Sequence, residues 1–336
     1  MKTHFLLTSL LLGGMVITAA SQSYFDALFS DADQAHQVML KMDLDHLLTN
    51  LEEEPYQEVQ LSWYHVQGDT VQEIAQIKAR GNTRKIICSV PPIKLKFKKD
   101  HLEERGFARD FNDFKVVWQC KDPDGFSQYL YREYLVYRLY HLLTPNSFRA
   151  QLVHFLVQDR NDPDRQFLRP GFILENEEEL AYRCAGTFRE ERVKSGHQLD
   201  DRQFFRFCLF QYMIANTDWA MGNVHNLKYI EKAGGEKIIP VPYDFDYSGL
   251  VHAPYAVPTE GLPIQSVTQR YYKGQQPDED VFAQEVAWFQ EKMPEMQALC
   301  ENFPYLTKRH RREMTKMLDS FARLLDKPKK LYRRLR

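Results

Sequence analysis

The hydrophobic and polar positions over residues 56–64 and 71–79 have strand character. Alternation with period two is strict at 92–98, where Ile93, Leu95 and Phe97 face one way and Lys94, Lys96 and Lys98 the other. Residues 114–118, 151–158 and 166–174 add three further strand-like runs, and the polar segment 67–69 reads as a hairpin turn. Residues 127–143 change to helical spacing: Leu135, Leu139 and Leu142 form a stripe, Val136, Tyr140 and Leu143 widen it, and Pro145 ends it. Residues 24–51 read as two short helices, the second at 43–50. Antiparallel strands with one helix predict a small first lobe over residues 22–175.

Helical patterns dominate residues 176–336. The run 200–215 carries Phe204, Cys208 and Tyr212 beside Phe205, Leu209 and Met213. Apolar residues over so wide an arc predict a buried helix, with Asp200 and Gln203 as its capping box. Strands at 227–230 and 237–243 pair around a glycine turn, and Pro240 and Pro242 place the second at an edge because they cannot donate to a ladder. Residues 247–277 read as irregular, and 278–336 as helical with a basic end. That end reads as a solvated helix terminus or as a peripheral contact with an anionic envelope surface.

The first 21 residues change the compartment. Lys2, an apolar run from Phe5 and small residues at 18–21 read as a cleaved signal peptide, which makes the mature chain exported, periplasmic or secreted. With 44 basic against 46 acidic residues, the chain is no general nucleic-acid binder. Its 22 Phe and 18 Tyr argue for a large folded core. Five cysteines show no Cys-x-x-Cys pair; they allow one disulfide, and Cys208 reads as a buried thiol.

Candidate chemistry gathers between residues 216 and 246. Asp218 is followed five positions later by Asn223, and Asp244 and Asp246 stand beyond the hairpin. Phosphoryl transfer needs one carboxylate to take or orient the nucleophile's proton, and an amide oxygen and a carboxylate to hold a metal. This order matches the catalytic-loop and metal-Asp elements of protein kinases. Asp218 is the candidate catalytic residue, with Asn223, Asp244 and Asp246 for Mg²⁺ or Mn²⁺. Arg80, Gly81, Asn82, Thr83 and Arg84, with Lys94 or Lys96, form the opposing basic half that would hold ATP phosphates. One of those lysines is expected to pair with Glu133. His225 lacks a second His at metal spacing and reads as a hydrogen-bonding support, while Asn226 offers a polar contact to phosphates.

These motifs together resemble the CotH (spore-coat protein H-like) family of atypical secreted protein kinases. The likeness is carried by Arg80 to Arg84 and the lysine strand after it, by the short strand ending at Glu175, and by Asn216, Asp218, Asn223 and Asp244. It implies an α+β, bilobal protein-kinase-like fold, with an antiparallel-sheet N-lobe, one helix and a mainly helical C-lobe. It also implies ATP with Mg²⁺ or Mn²⁺, a protein substrate phosphorylated on Ser or Thr, and nucleotide contacts near Glu175. Trp219 and Val90-Pro91-Pro92 depart from the family's usual residues. Two other classes stay open: a nucleotide-sugar glycosyltransferase using Asp244 and Asp246, and a non-catalytic kinase-like binding protein.

Overall fold

A computed structural model describes residues 22–29, 34–64, 70–121, 124–191, 193, 198–234 and 237–336. The expected leader and the turn at 67–69 lie outside these residues. Seven strands form the first unit: β1 (His36–Met42), β2 (Gln57–Tyr64), β3 (Thr70–Ala79), β4 (Ile93–Lys96), β5 (Asp113–Trp118), β6 (Ala150–Asp159) and β7 (Gln166–Leu174). They run in the order β1-β2-β3-β4-β5-β7-β6 and close into a barrel. All ladders are antiparallel except the closing one, in which β1 pairs parallel with β6 from His36↔Val153 to Met42↔Asp159.

The expected bilobal kinase-like architecture with an antiparallel-sheet N-lobe is therefore wrong. The chain builds a closed mixed barrel, a separate three-stranded sheet and, among the described residues, ten helices. The overturning element is β1, in a stretch read as helical. Its His, Gln, Met, Leu and Lys are tolerable or good helix formers, and its alternation is only seven residues long. Pairing on both sides buries Val38, Leu40 and Met42 in the barrel, and that outweighs local preference.

The other elements are α1 (Tyr24–Leu28), α2 (Leu44–Thr49), α3 (Thr83–Ile87), α4 (Lys99–Glu104), α5 (Ser127–Leu143), α6 (Glu177–Arg183) and α7 (Asp201–Met213). Helices α8 (Glu279–Asn302), α9 (Lys308–Leu325) and α10 (Pro328–Arg334) follow the irregular stretch. Strands β8 (Gly186–Arg189), β9 (Leu227–Lys232) and β10 (Ile238–Pro242) form the small sheet in the order β10-β9-β8, so the proline strand is an edge, as expected. The capping residue of α7 is Asp200, which accepts from the Gln203 N–H at 2.8 Å.

Two cores position the site. Inside the barrel, Leu61, Ile77, Ile93, Leu95, Val116 and Phe155 pack together. A second core takes the outer barrel face at Val117, Leu152, Phe172 and Leu174 and packs it on α5, α7, α8 and α9. The period of two thus sends Val116 inward, and Lys115 and Val117 outward, toward the cleft beside α5. A disulfide joins Cys88, just after α3, to Cys120, just after β5. Among the described residues no helix is long and apolar enough to cross a membrane.

Candidate active site

The loop that carries Asp218 leaves α7, whose residues Phe204 to Met213 are all buried. Asn216 turns the chain: its Oδ1 accepts from the Asp218 N–H at 3.0 Å. Trp219 packs edge-on against Phe207 with centroids 4.8 Å apart. Lys273 reaches in from the irregular stretch and donates to the carbonyls of Thr217 (2.7 Å) and Trp219. A bridge between Ala220 and His225 closes the turn. His225 Nε2 then lies 3.0 Å from Asp218 Oδ1, and Asn226 Nδ2 donates to Asp218 Oδ2 at 2.9 Å. Asp218 is held on both oxygens yet stays about one-third exposed.

Asp244 and Asp246 flank Phe245, which is buried against Tyr137 of α5 at 4.8 Å and Phe210 of α7 at 6.0 Å. Burying a ring of this size is worth about 1.5–3 kcal/mol and fixes both carboxylates relative to the two helices. The Asp244 N–H donates to the Tyr137 hydroxyl oxygen at 2.9 Å. Both Asp244 and Asn226 sit at positive φ (60° and 54°). Asp and Asn tolerate this conformation better than other side-chain-bearing residues, and it concentrates at functional sites.

Across the cleft, Gly81 after β3 has φ +93° and open space where a Cβ would stand, so its glycine serves the turn and not a close contact. Arg84 of α3 enters the acidic cluster, donating to Glu133 Oε2 at 2.6 Å and to Asp246 Oδ2 at 2.9 Å. The Tyr255 hydroxyl also donates to Asp246 Oδ2, at 3.1 Å. Burial, helped by the charges of Asp246 and Asp244, outweighs Arg84 and pushes Glu133 up to about 8. Burial and then Asp246 push Asp244 up to about 6, against Arg84 and Arg80. Lys115 of β5 is salt-bridged to Glu177 and lies over the Tyr243 ring, and burial lowers its pKa.

A cleft of about 330 Å³ joins these parts, lined by Arg80, Gly81, Asn82, Thr83, Arg84, Glu133, Asp218, Asp244 and Asp246 among the expected residues. Four others fall elsewhere. Asn223 sits exposed at the tip of the turn, and Asn226, three residues on, takes the place beside Asp218. Lys94 pairs with Asp113 at 2.8 Å, and Lys96 lies over the Tyr56 ring, so neither meets Glu133. Glu175 is buried under Arg149 and Arg183, holding the corner between β7 and α6. The expected lysine–Glu133 pair is replaced by Arg84–Glu133, because β4 turns its lysines away from α5 while α3 carries Arg84 into the cluster.

The residues missed are Lys115, Tyr137, Tyr243, Tyr255 and Lys273. Lys115 alone had a readable signal, a single lysine in an otherwise apolar strand. No protein-family model and no curated protein matches the chain. Among solved structures it is similar to the proinflammatory kinase CtkA of Helicobacter pylori, at 10% identity and TM-score 0.40, over 73% of this chain and 96% of that one. CtkA is a weak structural neighbour, too remote to carry an argument, and no comparison shows the CotH family.

Proposed function

We propose that the chain is an exported, metal-dependent phosphotransferase that moves the γ-phosphoryl group of ATP to a Ser or Thr hydroxyl of a polypeptide. The observation behind this reading is a single cleft in which a fixed, part-exposed carboxylate, Asp218, and a half-buried one, Asp244, face the cations Arg80 and Lys115. Arg80 has no ion-pair partner among the described residues, and its charge is felt by both Asp244 and Lys115. It is the natural phosphate contact, with Lys115 beside it. The disulfide supports an oxidising compartment.

The donor set fits one hard cation shared with phosphate oxygens, because Mg²⁺ is commonly held by one or two carboxylates plus substrate. Asp244 and the Asn226 amide oxygen would hold it; Asp246 is already committed to Arg84 and Tyr255. Among the described residues no group of three or more His, Cys, Asp or Glu is arranged to hold a metal alone. When bound, the ion would offset charge on the phosphates. Asp218 takes the proton of the attacking hydroxyl as the new O–P bond forms and the bond from the γ-phosphorus to the ADP oxygen breaks. His225 and Asn226 keep the carboxylate aimed.

The test is incubation of the full chain with γ-labelled ATP and Mg²⁺ or Mn²⁺, with label read on the protein itself and on a Ser/Thr peptide library. Asp218→Ala is expected to lose about 10²–10⁴-fold in transfer while still binding nucleotide. Undiminished labelling by that variant would overturn the reading.

A further inference from the structure

One residue before Glu133, α5 carries Arg132, which faces a different cavity. This cavity holds about 620 Å³ and lies between α5, residues 249–254, residues 268–270 and α9. Its charged lining is five cations, Arg132, Arg270, Arg309, Lys316 and Arg323, against one carboxylate, Glu313.

The floor is built from guanidinium groups short of counter-charge. Arg132 is 2% exposed, donates to the Val251 carbonyl at 3.2 Å and to Glu313, and its buried Nε has no hydrogen-bond partner among the described residues. Among the described residues Arg270 donates only to neutral acceptors: Met213 O at 3.0 Å, Ser320 Oγ at 2.9 Å and Met317 O at 2.7 Å. With no carboxylate beside it, burial lowers its pKa to about 10. Exposed Arg309, Lys316 and Arg323 form the rim.

We propose that this cavity is a binding site for a phosphate monoester dianion. Its volume suits a small ligand. Planar guanidinium forks favour tetrahedral oxyanions, with the rim lysine adding a point charge. A monocarboxylate would leave most of the lining charge uncompensated. The site is independent of the cleft chemistry, although one stretch of chain walls both: Asp246 and Tyr255 face the cleft cluster, and Gly249, Leu250, His252 and Pro254 face this cavity.

Calorimetric titration of the full chain with O-phosphoserine and with inorganic phosphate, in EDTA at constant ionic strength, tests the assignment. One equivalent is expected to bind saturably, with phosphoserine at least as tight as phosphate. Lys316→Glu/Arg323→Glu changes only exposed rim residues; it should keep the unliganded melting curve and weaken binding at least tenfold. Asp218→Ala should bind as the parent does. Saturation by neither compound, unaltered binding in the rim variant, or loss of binding in Asp218→Ala would overturn the site. Binding of inorganic phosphate with exclusion of phosphoserine would overturn the ester assignment.

Discussion

Arg84 of α3 and Glu133 of α5 meet at 2.6 Å, with side chains 12% and 3% exposed. The contact joins the turn after β3 to the helix beneath the cleft, and it also brings Arg84 to Asp246. Breaking a buried pair by removing one partner costs about 3–5 kcal/mol, because the other charge stays buried. Arg84→Met is therefore expected to lose stability on that scale in urea unfolding above pH 8, where Glu133 is ionised. Arg84→Met/Glu133→Leu should recover much of the loss, and additive single-site effects would sink the coupling.

The same cluster sets a pH dependence. Glu133 titrates near 8 in the fold against 4.5 when exposed, and Asp244 near 6 against 3.8. Between those values these two groups hold more protons in the folded chain than in the unfolded one, so the cluster's contribution to stability is greatest at low pH and is lost as pH rises through 6 and then 8. Each group contributes a slope of at most about 1.4 kcal/mol per pH unit. Glu133→Gln should flatten the fall between pH 6 and 8 in urea titrations. A parent whose cluster-dependent stability rises over that window would contradict the assignment.

Metal response should separate two asparagines. Asn226→Ala is expected to lose most of the Mg²⁺-dependent thermal shift with ATP, while Asn223→Ala, at the exposed turn tip, keeps it. The opposite result would return the ligand role to Asn223.

Nucleotide affinity should depend on Arg80 and Lys115 more than on the β4 lysines. A lost charge-assisted contact is worth about 1.5–3 kcal/mol, so Arg80→Gln should raise the ATP Kd at least tenfold. Lys96→Gln should change it less than threefold by the same measurement.

Reducing the Cys88–Cys120 bridge should loosen α3. A crosslink spanning 32 positions contributes about 3–4 kcal/mol by the loop-entropy argument. Cys88→Ser/Cys120→Ser is expected to lose stability on that scale. Hydrogen exchange at residues 83–87 should rise more than at α7.

Strands with long alternation, such as β2, β3 and the lysine strand, were legible because burial on one face leaves a period. So were the buried helix α7 and the carboxylate it delivers, Asp218. β1 was not legible, since seven residues with helix-tolerant side chains become a strand only when two partners arrive from distant sequence. The site failed to read for a related reason. A spacing of five nominated Asn223, but the turn bulges by three residues and returns Asn226 to Asp218. The Lys94 and Lys96 alternation was real, yet which face meets α5 is decided by barrel closure.

The parallel seam between β1 and β6 bears on how this protein can meet another polypeptide. Closure removes a full-length free edge, and the backbone left paired on one side only is short, longest at residues 70–75 of β3 and 166–170 of β7 among the described residues. The small sheet offers little more, with Pro240 and Pro242 on one border and the four-residue β8 on the other. A polypeptide docking on either sheet therefore finds only short stretches for main-chain pairing and must be read mostly by side chains, residue by residue.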